Sequence, residues 1–343
     1  MRKLLNILYV TSSDAYLSLD GENAVVLIGD EEKIRVPFHN LEGIVTFGYT
    51  GASPAFMGHC VKRNVALTFM TQSGRFLSRL VGESRGNVIL RRGQYRIADD
   101  PVKSLEIARN CITGKVFNAR SVINRALRDH RVRLDEERFT RVSKQLKENL
   151  SLINQSSSLE ELRGYEGEAA SRYFSVMDDL ILQQKADFYF KTRNKRPPLD
   201  PVNAMLSFVY TLLAHDVAAA LEAVGLDSYV GFLHTDRPGR ISLALDLMEE
   251  LRSIFADRFV ISLINKRIVN ITGFEYQENG AVLMKEETRR EILKSWQERK
   301  QDKIRHPYLE ETIEWGLVPY VQAMLLARFI RGDMDGYPPF LWK

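Results

Sequence analysis

Cysteine is almost missing from this 343-residue sequence: Cys60 and Cys111 are the only two. They stand far apart, with no CxxC or Cys/His spacing, which argues against a zinc site and a disulfide framework and fits a reducing cytoplasm. Long hydrophobic runs are missing as well. No stretch approaches the roughly 18 uncharged apolar residues that a membrane-spanning helix needs. The opening run from Met1 meets Ser12, Ser13 and Asp14 too soon for a signal peptide. A soluble cytoplasmic protein with no membrane partner is expected. Also absent are a GxxxxGK loop ending in Ser or Thr for ATP phosphates, an HExxH pair for zinc, a GxSxG elbow, and a GxGxxG turn after a strand. A large surplus of one charge is lacking too: 48 Lys and Arg against 44 Asp and Glu leave a formal +4. So small a net charge neither names nor excludes nucleic acid, and the local distribution has to decide.

At 45% hydrophobic residues the chain can bury a large core, and its length favours two domains. Residues 1–90 carry short β-type runs: Asn6 to Val10, Tyr16 to Leu19, Ala24 to Ile28, Lys33 to Pro37, Gly43 to Phe47, Val65 to Met70 and Arg75 to Val81. Gly, Asp, Asn and Ser punctuate them as turns require. One helix is predicted in this half, Ser53 to Arg63, with Ser53 as its cap and Pro54 at its first position. Over residues 91–343 the apolar period becomes helical. Asp100-Pro101, Ser158 with Glu161, and Asp200-Pro201 each put a capping oxygen ahead of such a run. The expected fold class is α+β: a small N-terminal β-rich sandwich followed by a larger all-α domain.

Chemistry is concentrated in the second part. A helix read from Leu159 to Gln183 places Leu162, Glu166, Ala169, Ala170, Tyr173 and Met177 on one stripe. Glu166 is thus an acid on an apolar face. Its burial costs several kcal/mol unless an Arg, a His or a metal ion satisfies it. A structural ion pair and a metal site are both open here. Further on, the loop Gly231-Phe232-Leu233-His234 precedes a helix in which Asp246, Glu249 and Glu250 fall at i, i+3 and i+4. Acids so spaced repel unless a cation sits between them. Taken with His234, they form the donor set of a hard divalent ion such as Mg²⁺ or Mn²⁺, which suits phosphodiester chemistry. Arg237 and Arg240 follow His234 at once, where guanidinium groups could fork onto phosphate oxygens. Further basic clusters are Arg91-Arg92, the run Lys191 to Arg196 with Arg193 and Arg196, and the helical series Arg120 to Arg133. Phe188, Tyr189 and Phe190 precede the second of these, a mixture that stacks bases and tracks a phosphate backbone. A solvated charged face is the bland alternative for each.

Three segments, in this order, resemble the CRISPR-associated protein one family, the catalytic subunit of the spacer-acquisition complex. They are Arg163-Gly164-Tyr165-Glu166-Gly167-Glu168-Ala169-Ala170, then Gly231-Phe232-Leu233-His234, then Ser242 to Arg252. Asp200 to Ser207 is similar to the family's intervening helix start, so the likeness covers essentially the whole chain. The resemblance implies that Glu166, His234 and a third acid hold the ion. That third ligand is placed at Glu249, with Asp246 as its neighbour. It also implies a dimerisation domain over residues 1–90 and a catalytic domain over 91–343, a homodimer, and a bridging dimer of a small ferredoxin-like partner. The implied reaction joins the 3′-hydroxyl ends of a captured DNA duplex to the CRISPR repeat by transesterification; the overall look is similar to type I-C systems. A stand-alone metal-dependent nuclease or branched-DNA resolvase, and a non-catalytic DNA-binding scaffold, are the alternatives. On the metal reading, deleting Glu166 is expected to stabilise the metal-free fold slightly, because a buried charge with no partner is removed.

Overall fold

The computed structural model describes residues 7–41, 43–63, 65–71, 76–80 and 88–342. Its first part is built of strands β1 (Ile7–Val10), β2 (Ala15–Asp20), β3 (Asn23–Ile28), β4 (Glu31–Pro37) and β5 (Gly43–Phe47), helix α1 (Pro54–Arg63), and strands β6 (Ala66–Met70) and β7 (Phe76–Arg79). Each predicted β-run is a strand to within about three residues at either end; the predicted ends Asn6, Arg75 and Val81 lie outside the described residues. β2, β3 and β4 form an antiparallel meander, while β1, β5 and β6 run parallel in a second sheet with β7 antiparallel on its edge. Ala15 and Leu17 point into the core and Tyr16 and Ser18 do not, the period of two that pins register. Ser53 Oγ accepts from Phe56 N (3.2 Å) and starts α1, whose Phe56 and Cys60 join Leu17, Ile44 and Leu67 in a compact apolar cluster.

Phe47 and Met70 belong instead to the larger core of the second part, and the Phe47 ring stands 6.4 Å from that of Phe208. The second part comprises α2 (Val88–Ala98), α3 (Pro101–His130), α4 (Glu136–Gln155), α5 (Leu159–Ser175), α6 (Pro201–Ala223), α7 (Ser242–Met248), α8 (Arg258–Asn265), the ribbon β8 (Phe274–Tyr276) with β9 (Val282–Met284), α9 (Glu286–Gln301), the ribbon β10 (Lys303–Arg305) with β11 (Thr312–Glu314), and α10 (Val318–Arg331). It is mostly helical, and the two small ribbons, too short to show a period in sequence, qualify the all-α expectation. The three predicted caps are in place. Asp100 accepts from Val102 N (3.0 Å), Ser158 from Glu161 N (3.1 Å) and Asp200 from Asn203 N (2.8 Å).

Two readings need correction. α5 stops at Ser175, not Gln183: Asp178, just beyond it, turns back to accept from Phe190 N (2.6 Å), and the chain bends there. And one helix, α6, is long and apolar enough to cross a membrane by length and composition, against the expectation that no stretch would be. Most of its residues are buried inside the fold, so its apolarity is that of a core helix packed on every side.

Candidate metal centre

Three elements converge on α3. α5 carries Glu166, the loop before α7 carries His234, the tight 3₁₀ turn Glu249–Leu251 carries Glu249, and α3 itself carries Lys115. After that turn the chain widens into a π-helical segment, Arg252–Asp257, before α8 resumes. Such a tightening and widening re-aims side chains within one helical run, and such irregularities cluster at functional sites. α5 and the His234 loop are tied together, because an Arg163 guanidinium N–H donates to Leu233 O (2.6 Å).

The three acids of the sequence pattern have separate tasks. Asp246 is buried, and its Oδ2 accepts from Phe232 N (2.6 Å) and Leu233 N (3.0 Å). Its Oδ1 accepts from His234 N (3.0 Å) and lies 2.5 Å from His234 Nδ1. A carboxylate can only accept, so Nδ1 carries the proton and Nε2 is the nitrogen with a lone pair to offer. With four contacts made, Asp246 has little capacity left for a metal; it orients the histidine, as outer carboxylates do in metal sites. Gly231 permits this: a Cβ there would stand 2.8 Å from Asp246 Oδ2 and 2.9 Å from the Ser242 backbone.

Glu249 faces the other way, toward cations. Its Oε1 is 3.0 Å from an Arg252 guanidinium nitrogen and its Oε2 is 2.8 Å from Lys115 Nζ, while buried Oε2 has no aligned hydrogen-bond donor. Burial raises its proton affinity, but Arg252 and Lys115, with a lesser contribution from His234, outweigh it and hold the carboxyl at about 2. The same Lys115 ammonium pairs with Glu166 Oε1. Carboxylates from α5 and from the 3₁₀ turn therefore share one cation, with the Asp246-oriented imidazole close enough to be felt by Glu249. Among the described residues no three His, Cys, Asp or Glu groups close into a ready metal cage. The ammonium marks where a cation is stabilised, and the oxygen and imidazole donors around it are those Mg²⁺ and Mn²⁺ accept. Since Glu166 is matched by Lys115, the expectation that deleting it would stabilise the metal-free fold does not follow from this arrangement.

Glu250 is not part of the site. It is fully buried and accepts from Phe340 N (2.7 Å), Tyr337 Oη (2.7 Å) and Gln322 Nε2 (2.9 Å), which fastens the C-terminal segment and α10 to the turn. Burial raises its carboxyl, against those donors, to about 7.

The predicted basic groups divide. The guanidinium carbons of Arg252 and Arg193 lie 4.9 and 5.3 Å from the centre of the Tyr210 ring, and Tyr210 Oη donates to Asp257 Oδ1 (2.5 Å). Arg193 is half-buried and already bonded to Asn203 Oδ1 (2.8 Å) and Ser207 Oγ (3.1 Å), so much of its donor capacity is spent inside. Arg196 is exposed, as is Lys195, whose ammonium is lowered by burial and by Arg252, Arg193 and Arg196 and raised by Glu249. A basic rim thus borders the carboxylates. Arg237 is exposed and Arg240 half-buried on the turn after His234, and on α2 Arg92 is exposed while Arg91 Nε donates to Gly225 O (3.2 Å). Sequence reasoning missed Lys115, Arg252 and the role of Arg163. A signal for Lys115 existed: it lies four residues from both Cys111 and Ala119 on a buried face of α3, where an ammonium needs a partner.

Comparison with known proteins places the chain by sequence and by fold. A profile of the family described as CRISPR associated protein Cas1 matches residues 8–298. The chain is 48% identical to CRISPR-associated endonuclease Cas1 1 of Chlorobaculum tepidum, over 100% of both chains. Among solved structures, a casposase bound to integration product superposes with a TM-score of 0.84 at 22% identity, covering 99% of this chain and 95% of that one. The Cas6-RT-Cas1–Cas2 complex gives 0.82 at 20% identity, covering 98% of this chain and 36% of that one. At these identities the two structures speak for the fold.

Proposed function

Since the chain belongs to the CRISPR-associated protein Cas1 family, a nuclease and integrase family, we propose that it is a divalent-metal-dependent DNA integrase of spacer acquisition. The observation that carries this reading is the convergence of Glu166 and Glu249 on one cation, beside a histidine whose Nδ1 is engaged by Asp246. Glu166, Glu249 and His234 Nε2 would hold Mg²⁺ or Mn²⁺. When bound, the ion polarises a phosphoryl oxygen and offsets the charge that develops there. The protein's own residues do the remaining work. Asp246 holds the imidazole in one tautomer, Arg163 keeps the His234 loop against α5, and the basic rim of Arg252, Lys195 and Arg196 draws the phosphodiester in.

The proposed reaction is transesterification. A 3′-hydroxyl of a short DNA duplex attacks a phosphodiester of the CRISPR repeat, and one phosphodiester forms as another breaks. That exchange needs no nucleotide hydrolysis. We further propose a homodimer formed through residues 1–90, catalysis by residues 91–343, action in the cytoplasm, and assembly with a small ferredoxin-like partner dimer. The occurrence of Cas1 with Cas2 in a complex of the same fold supports such a partner.

The test is a joining assay with a 3′-hydroxyl donor duplex and a supercoiled repeat-bearing plasmid, with and without EDTA. Joined product that vanishes with EDTA and with Glu166→Ala, while DNA affinity is kept, is the expected result. Cleavage without joining would make the protein a nuclease, and full activity of Glu166→Ala in Mn²⁺ would overturn the site.

A further inference from the structure

We propose a second ligand site, remote from the metal centre: the cavity between the C-terminal half of α3 and α8 binds the oxyanion of a phosphate group. The cavity is about 270 Å³ and is lined by Arg125, Asp129, His130, Arg258 and Lys266 over apolar side chains that include Leu180 and Leu182. Arg125, His130 and Lys266 are exposed and open it to solvent; Arg258 is the more buried cation. The guanidinium carbons of Arg258 and Arg125 stand 4.5 and 5.2 Å from the ring of one residue, Trp342, so two like charges are gathered on a single indole. Burial, with the charges of Arg299 and Arg125, pulls the Arg258 guanidinium down to about 10.

The charges here do not balance. Asp129 is the one acid lining the cavity, and it is already shared by Arg125 (3.3 Å) and Arg128 (3.1 Å). Arg299, whose field reaches Arg258, is matched by Asp302 (2.8 Å). Among the described residues neither Arg258 nor Lys266 has a carboxylate at ion-pair distance. Half-buried like charges repel and disfavour their own ionisation unless an anion offsets them. Forked guanidinium donors with a nearby ammonium match a tetrahedral, multiply bonded oxyanion better than any neutral ligand. Along α3, Asp129 lies fourteen residues beyond Lys115, about 21 Å at the helical rise, so one phosphate cannot serve both sites. The phosphate belongs to a DNA backbone or to a free anion; both present the same chemistry.

Two experiments on the full chain, both without divalent metal, test the site independently of the metal-centre reading. In the first, melting is followed in inorganic phosphate and in chloride at matched ionic strength, for wild type, Arg258→Gln and Lys266→Glu. In the second, duplex DNA binding is followed by anisotropy across a salt series. Phosphate is expected to raise the melting temperature of wild type more than that of either variant if the anion is free. If it is DNA, each variant should flatten the log K against log salt slope by about 0.9 or more, alike for all sequences. Either effect supports the site and names its source. Equal behaviour of Lys266→Glu and wild type in both experiments overturns it, and because Lys266 is exposed that variant remains decisive even if Arg258→Gln does not fold.

Discussion

Glu249 and Glu250 are neighbours on one tight turn, yet they face chemically opposite surroundings. Glu249 lies among the Lys115 and Arg252 cations, which hold its carboxyl at about 2 in spite of burial. Glu250 lies among neutral donors, Tyr337 Oη, Phe340 N and Gln322 Nε2, and burial carries it to about 7. Neutral donors can satisfy the oxygens of a buried carboxylate, but they do not compensate its charge; full compensation needs a cation. One face of the turn is therefore made to hold positive charge and the other to hold the C-terminal segment. The most direct way to break the comparison is to remove each acid and see whether chemistry or folding responds.

Glu249→Ala should give the largest effect. If the carboxylate is a metal ligand, strand transfer should fall about 10³-fold or more, the loss of several kcal/mol of transition-state stabilisation. Single-turnover joining with Mn²⁺ measures it, and a loss below tenfold would place the ligand elsewhere. Asp246→Asn comes next. Its one remaining oxygen can still accept from Phe232 N and Leu233 N, but the NH2 that replaces Oδ1 neither accepts from His234 N nor fixes the imidazole tautomer, so metal affinity or activity should drop about 10–100-fold. Manganese titration reads this directly. A drop as large as that of Glu249→Ala would make Asp246 a ligand.

How much of this was legible in the sequence depended on the range of the interactions. The β-strands and the caps Asp100, Ser158 and Asp200 were readable, because alternation, turns and capping oxygens act within a few residues. Glu166 and His234 were likewise readable as candidates, each out of character with its neighbours. The choice between Asp246 and Glu249 was not readable, since both lie on the same short helical face. Only the fold shows that the loop from Gly231 wraps over Asp246 and leaves Glu249 toward α3. The end of α5 escaped for the same reason: Met177 is still buried, so the apolar period continues past the point where the helix stops. Local pattern reports which residues are buried and says less about what they are buried against.

The other half of the comparison predicts a pH effect of middling size. The folded Glu250 carboxyl stands above its usual value, so between about 4.5 and 7 the folded state keeps a proton that the unfolded chain has released. Its contribution to stability is complete below that window and is lost as pH rises through it, by on the order of 3 kcal/mol. Chemical denaturation of the metal-free protein at pH 5 and pH 8 should show the fall, and Glu250→Gln should reduce it. Glu249 has the opposite sign: its contribution is present above about 4.5 and is lost as pH falls toward 2. An unchanged pH dependence in Glu250→Gln would mean that the proton sits elsewhere.

The smallest effect belongs to the exposed turn after His234. Arg237 is exposed, and a guanidinium there gains only screened contact with a phosphate. Arg237→Ala should therefore weaken duplex binding alike for all sequences and flatten the log K against log salt slope by about one unit, leaving the metal titration unchanged. If the variant instead altered manganese affinity, the turn would be acting through His234. The division between a charge-holding centre and a loosely coupled basic rim would then fail.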